Sequence, residues 1–87
     1  MIVTAAIRTE SGLIVHLPRP ARHEDIRRSL DESGDHGVLE WGFLGWSKLA
    51  NKLIFLDRQR AARWAIQAGQ VKAENVKCNT LLSEDLW

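Results

Sequence analysis

The chain has 87 residues, of which 45% are hydrophobic and 26% are charged, and its formal net charge is +1. This composition excludes a disordered, fibrous or low-complexity chain. The length predicts a single domain over residues 1–87, with a folded body at 1–70 and a C-terminal tail at 71–87.

The cysteine content and the hydropathy pattern indicate a soluble protein of a reducing compartment. The single cysteine, Cys78, cannot form an internal disulfide. No apolar run approaches the ~20 residues of a membrane span, and the first residues do not follow the pattern of a signal peptide. We therefore expect a cytoplasmic protein with no membrane partner.

The first third of the chain predicts a hairpin followed by a helix. Apolar and polar residues alternate in 1–8 and again in 13–17, on either side of a short polar turn that contains Gly12. Residues 21–33 predict a helix that stops at Gly34. The alternation predicts that Met1, Val3, Ala5 and Ile7 share one face of the first strand. The inward face of the helix is predicted separately as Ile26, Leu30 and Ser33.

The next segment repeats this order. Residues 38–46 and 52–56 predict two more strands, and residues 58–68 predict a second helix with Asp57 as its N-cap and Gly69 just past its end. The inward arc of this helix is made of small residues, chiefly alanines. The predicted fold class is therefore α+β, a small antiparallel sheet with two helices in the order ββαββα.

Charge is unevenly distributed along the chain. Residues 41–72 contain six lysines and arginines against one acid, Asp57, whereas acidic residues cluster at 31–40 and 74–85. This segregation indicates an anion-binding surface, or two surfaces that attract each other in an oligomer. The alternative is a solvated helix face.

Arg58 is the strongest candidate for a binding residue. On a helical wheel it falls in the apolar arc near Ala62 and Ala65, away from Arg60 on the polar side. A guanidinium at a helix N-terminus is suited to a phosphate or a carboxylate. The alternative is that Arg58 extends to solvent or pairs with Asp57.

The residues that lead into the first helix are a second candidate. Arg19, Arg22 and His23 precede or open that helix and are suited to hold an anion at its N-terminus. For His23 a half-buried structural role is the alternative.

Aromatic rings are concentrated in the second predicted hairpin, beside Lys48 and Lys52. Rings next to cations can stack on a nucleotide base, although most rings in a small domain belong to its core. The rings are Trp41, Phe43, Trp46 and Phe55. Strand alternation predicts Trp41 and Phe43 in the core and Trp46 exposed.

The sequence contains no recognisable catalytic or metal-binding pattern. Its serines, its cysteine and its histidines form no nucleophile–base arrangement, and glycine-rich phosphate loops and zinc spacings do not occur. We therefore expect a binding protein rather than an enzyme, with no cofactor and no metal.

Six short motifs resemble those of a group of small tailed-phage proteins. They are Ala5-Ala6-Ile7-Arg8, Arg22-His23 with Asp25-Ile26, Gly42-Phe43-Leu44, Phe55-Leu56-Asp57-Arg58, Ala68-Gly69-Gln70 and Leu82-Ser83-Glu84-Asp85-Leu86-Trp87. Together they span the whole chain. One departure is that the group has Gly-Arg before the Phe-Leu-Asp-Arg motif, where this chain has Leu53-Ile54. The role of that arginine is then open, or falls to Lys48 or Lys52.

The same layout resembles the phage anti-Thoeris sponge family. Its members are oligomers that sequester cyclic ADP-ribose isomers, and in some cases cyclic di- or trinucleotides, without cleaving them. The resemblance implies an anti-defence protein in the cytoplasm of an infected bacterium, acting as a homo-oligomer. It also implies phosphate contacts from Arg58, Arg22 and His23 and base stacking by Phe43 or Phe55. The residue patterns add Trp46 and Arg19 to this predicted ligand-binding site.

Two other functions stay open at this point. An anti-CRISPR-type module would inhibit a host protein through an exposed acidic or aromatic patch. Nucleic-acid binding through residues 41–72 is less favoured because the net charge is only +1. For Trp46 and Trp87 we expect that a ligand or a second subunit covers any buried part.

Overall fold

A four-stranded antiparallel sheet carries two helices on one of its faces. The computed structural model describes residues 1–33 and 37–87, without the side chains of residues 33, 38 and 39. The strands are β1 (Ile2–Thr9), β2 (Ile14–His16), β3 (Val38–Ser47) and β4 (Lys52–Asp57), and the helices are α1 (His23–Ser33) and α2 (Arg58–Gln67). The strand order in the sheet is β2-β1-β3-β4. The predicted α+β class and the ββαββα order are confirmed, whereas the predicted stop at Gly34 lies outside the described residues.

Local signals place the ends of these elements. The β1–β2 turn closes with the Gly12 N–H donating to the Thr9 carbonyl, and Gly12 has a φ of +89° that suits glycine. Asp57 caps α2, because its side chain accepts a hydrogen bond of 2.7 Å from the backbone N–H of Arg60. The last helical residues are followed by Gly69 at a φ of +73°.

A register irregularity near the start of β1 changes which residues face the core. The pairing with β3 shifts between Ile2 and Thr4, so that Ile2 is fully buried while Met1 is 59% exposed and Val3 is half-buried. The prediction that Met1 and Val3 share a face with Ala5 and Ile7 is therefore wrong at the beginning of the strand, whereas Ala5 and Ile7 do share a buried face. One extra residue in a strand reverses the alternation on one side of it.

The core lies between the sheet and the helices. From the sheet, Phe43 and Leu56 are fully buried, and α1 contributes Ile26 and Leu30. The buried face of α2 consists of the three alanines Ala61, Ala62 and Ala65. Small side chains let this helix pack close to the sheet. Its first residue, Arg58, directly follows β4 and lines the same cavity as Trp41 of β3.

The tail packs against its own chain. It contains three short 3-10 turns, Ala73–Asn75, Lys77–Asn79 and Ser83–Asp85. Leu81 is fully buried, and its backbone N–H donates to the carbonyl of Arg58 at 3.0 Å. The Trp87 indole Nε1 donates to the Ala21 carbonyl at 2.8 Å, and the ring packs on the core. The expectation that a partner covers Trp87 is therefore wrong, because the chain itself covers it.

None of the described helices is both long enough and apolar enough to cross a membrane.

Candidate functional site

A cleft of about 400 Å³ opens where the N-termini of α1 and α2 meet the tail. Its lining comes from α1 and the residue before it, from β3, from α2 and from the tail. These residues are Arg22, His23, Glu24, Arg27, Trp41, Arg58, Leu82, Ser83 and Glu84. A volume of this size is within the range of small-molecule sites.

Hydrogen bonds fix the start of α1 against the tail. The backbone N–H of Arg22 donates to Asp25 Oδ2 at 2.8 Å, and the backbone N–H of His23 donates to Ser83 Oγ at 3.4 Å. The Arg22 guanidinium donates from Nε to the backbone oxygen of Trp87. Because α1 and the tail hold each other, this wall of the cleft is preformed.

The side chain of His23 is hydrogen-bonded to β3 and packs against its aromatic rings. Its Nε2 lies 2.6 Å from the Gly42 carbonyl oxygen, and its ring meets Trp41 and Phe43 edge-on at centroid distances of 5.5 and 4.9 Å. Burial lowers the pKa of His23 below its usual 6.5, and the nearby charge of Arg58 lowers it further, against the opposing effect of the Gly42 hydrogen bond. The neutral ring then donates Nε2–H to Gly42, so His23 has the half-buried structural role rather than a free phosphate-binding nitrogen.

This lowered pKa predicts a pH dependence of stability. Since the unfolded chain binds a proton at His23 more readily than the folded chain, the free energy of unfolding should decrease as the pH falls below the ordinary histidine pKa of 6.5. Urea unfolding measured between about pH 7 and pH 5 tests this. The decrease should be smaller in His23→Gln, whose amide can still donate to Gly42. Equal pH dependence in both proteins would contradict the assignment.

Arg58 is the half-buried cation of the cleft. The ion pairs in the described part of the chain are Arg8–Glu40 and Arg28–Asp25, so no described carboxylate lies within 4.0 Å of the Arg58 guanidinium. Asp57, its neighbour, accepts instead from the backbone N–H of Arg60. The wheel-based prediction that Arg58 lies on the inward side is in accord with its half-buried position, whereas Arg60 is exposed.

The charge of the lining favours an anion by a small margin. The described lining contains three arginines and two glutamates, and both glutamates are exposed. His23 adds no charge when neutral. Among the described residues no group of histidine, cysteine and acidic side chains is placed to hold a metal ion.

Comparison with known proteins gives one match. Residues 1–87 match the family model described as phage T4 y16D protein. The chain belongs to the phage T4 y16D protein family. No curated protein and no solved structure matches it. The prediction of a small phage protein is thus confirmed for this y16D-family chain, and the match gives no support to the resemblance to the anti-Thoeris sponge family.

The fold of this y16D-family protein separates the predicted site residues. Arg22, His23 and Arg58 come together in the cleft. Phe43 is fully buried beside the His23 ring and offers no free face for stacking. The remaining three lie elsewhere: Phe55 and Trp46 on the opposite face of the sheet, and Arg19 exposed in the loop before α1.

Six of the nine lining residues were not predicted as site residues, among them Trp41, Ser83 and Arg27. Trp41 was predicted in the core but is only half-buried, because the cleft opens beside it. Ser83 reaches the cleft only through the packing of the tail, for which the sequence gives no periodic signal. Arg27 lies one helical turn after His23, so the helix prediction and the candidate His23 together contain the signal that could have found it.

Two further cavities define the surroundings of the cleft. One of about 370 Å³ shares Trp41 and Arg58 with it and is also lined by Glu40, Asp57, Gln59 and Thr80. The other, of about 450 Å³, lies along α2 beside Cys78 and has Arg63 as its only charged lining residue among those described. The cavity along α2 is larger, but only the smaller of these two cavities is lined by Arg58 and Trp41. The smaller cavity is therefore the one that could extend a ligand site in the cleft.

Proposed function

We propose that this protein binds a small nucleotide in the cleft, with a phosphate group on Arg58, and holds it without cleaving it. The half-buried residue Arg58, whose guanidinium has no carboxylate partner among the described residues, carries this proposal. A partly buried cation is stabilised by a bound anion, and guanidinium binds phosphate oxygens through paired N–H donors. Arg22 and Arg27 lie in the same lining and supply further donors.

The surroundings of Arg58 favour a nucleotide over an inorganic anion. The half-buried ring of Trp41 gives an aromatic surface in the same cleft, and such surfaces stack on bases. The adjoining cavity offers the amide of Gln59 and the hydroxyl of Thr80, which can hydrogen-bond to ribose hydroxyls or base amines, whereas its carboxylates Glu40 and Asp57 are engaged by Arg8 and by the N-terminus of α2.

Ser83 and His23, the nucleophile and base candidates among the described lining residues, are both engaged elsewhere. Ser83 Oγ accepts the backbone N–H of His23, and His23 Nε2 is directed to Gly42, so the two side chains do not form a nucleophile–base pair. The function that follows is sequestration. For a protein of a phage family, we propose as ligand a cyclic nucleotide immune signal of the infected bacterium, a cyclic ADP-ribose isomer or a cyclic di- or trinucleotide.

The location of binding tests this proposal. The four tryptophans give separate indole N–H signals in an NMR spectrum of labelled protein, and cyclic ADP-ribose serves as the probe. We expect the Trp41 signal to shift in a saturable way and the Trp46 signal, on the other face of the sheet, to stay in place. Shifts confined to Trp46, or none at saturating probe, would contradict the proposal.

A further inference from the structure

The sheet face opposite the helices is apolar and uncovered. The paired strands place Ala6, Ile14, Leu44, Trp46, Leu53 and Phe55 on this face. Three of them are large and exposed: Ile14 at 43%, Trp46 at 41% and Leu53 at 43%. Helices and tail pack on the other side, against the core cluster. An open sheet face in a two-layer domain normally carries polar residues, so this composition indicates a surface that binds another molecule.

By strand register Arg8, Glu40 and Asp57 lie on this face; Arg8 and Glu40 pair with each other, and Asp57, at the end of β4, caps α2. Arg8 and Glu40 form an ion pair at 3.3 Å, and the Arg8 guanidinium lies 5.7 Å from the centre of the Phe55 ring. Gly42 makes this possible, because the Phe55 ring lies over the position that a side chain there would occupy. The Arg8–Glu40 pair itself carries no net charge, so setting one pair against the other in two copies adds no repulsion.

Water is already excluded from part of this face. Arg8 Nε and Thr4 Oγ1 are shielded from solvent without a hydrogen-bond partner among the described residues. Ala6 is fully buried and Leu44 nearly so, although no helix covers them. A dry centre with exposed apolar residues around it resembles the centre of a protein interface.

We infer that this sheet face is the contact surface for a second copy of the chain, related to the first by a two-fold axis. The neutral Arg8–Glu40 pair supports a second copy over a charged partner, because a two-fold contact can set each pair against the other with opposite charges aligned. The cleft that holds Arg22, His23 and Arg58 lies on the helix side and stays open in both copies, although Glu40 of the contact also lines the cavity that adjoins the cleft.

The area of the sheet face determines how tightly two copies are expected to bind each other. Strand spacing and rise per residue give a four-stranded face of roughly 19 by 20 Å, or about 400 Å² per copy in projection. Two such faces bury roughly 800 Å² in total, which is below the range of stable interfaces and calls for a weak, transient contact. We therefore expect a monomer–dimer equilibrium with a dissociation constant on the order of 10 µM rather than a permanent dimer.

Sedimentation equilibrium over about 1 to 500 µM protein tests the inference, with folding of each variant checked by circular dichroism. Leu53→Glu should weaken dimerisation by about 100-fold or more, because it places an unpaired charge in the contact. Ile14→Glu, at the other edge of the face, should do the same. The matched control is Leu13→Glu, since Leu13 is 61% exposed in the β1–β2 turn and next to the face but not on it.

The outcomes are distinct. A wild-type dimer that both face variants convert to folded monomer, while the control remains dimeric, supports the inference. A wild-type protein that stays monomeric throughout, or a dimer that both face variants leave intact, overturns it. Neither result bears on the cleft, whose ligand binding is measured separately.

Discussion

Replacing Gly42 by alanine is expected to lower the free energy of unfolding by about 3 kcal/mol or more, and the melting temperature by at least about 10 °C. The added Cβ would overlap the backbone oxygen of Leu56 and lie 2.5 Å from Phe55 Cζ. The Leu56 oxygen is a backbone atom of the neighbouring strand β4 and cannot move aside without breaking the sheet. The Phe55 ring is held in place near Arg8. Urea and thermal unfolding followed by tryptophan fluorescence measure the effect.

Gly45→Ala is the matched control, because Gly45 is a buried glycine of the same strand. Its new Cβ would meet only side-chain atoms, Leu56 Cδ1 at 2.9 Å and Trp64 Cε3 at 3.0 Å. Side chains can shift where a backbone oxygen cannot, so Gly45→Ala should destabilise the protein clearly less than Gly42→Ala. A reversed order, or a Gly42→Ala protein as stable as wild type, would show that the packing of Phe55 over β3 is not as described.

Replacing Arg58 by alanine is expected to weaken binding of cyclic ADP-ribose by about 100-fold, the effect of losing a charge-assisted contact to phosphate. Stability should change little. Arg58 has no ion pair among the described residues, and a positive charge at a helix N-terminus is unfavourable for the helix. Titration calorimetry together with thermal unfolding separates a loss of binding from a loss of folding.

Arg60→Ala controls for net charge. Arg60 lies in the same first turn of α2 and is exposed, but it does not line the cleft. This variant should bind cyclic ADP-ribose within about threefold of wild type, because distant exposed charges are screened by salt. If Arg58→Ala bound as tightly as Arg60→Ala, Arg58 would not be the phosphate-binding residue.

Local patterns were sufficient to predict most of the fold. Alternation identified the hairpins, and a cap and a glycine identified the ends of α2, because these signals depend on near neighbours in the chain. The irregular start of β1 was not predicted, since the shift between Ile2 and Thr4 arises from pairing with β3, a distant segment. The packing of the tail was not predicted for the same reason. It depends on a distant contact, the hydrogen bond from Leu81 to the Arg58 carbonyl, which leaves no periodic pattern in residues 71–87.

The candidate site was predictable only in part. Arg58 and Arg22 could be identified because a helix start and a wheel position are local properties. Trp41 was not identified, since its strand position predicted a core residue and only the packing of α1 and the tail leaves its ring half-exposed. His23 shows the reverse: its position in the cleft was predicted, but its hydrogen bond to Gly42 depends on the sheet.

Calorimetric titration of the wild-type protein with cyclic ADP-ribose and a cyclic dinucleotide, beside adenosine, is the most direct test of the cleft as a nucleotide site. The arginines predict saturable binding of at least one cyclic nucleotide, at one site per chain, with a micromolar or lower dissociation constant, and binding of adenosine at least about 100-fold weaker because it has no phosphate. No saturable heat with either cyclic nucleotide at about millimolar concentration, or equal affinity for adenosine, would contradict it.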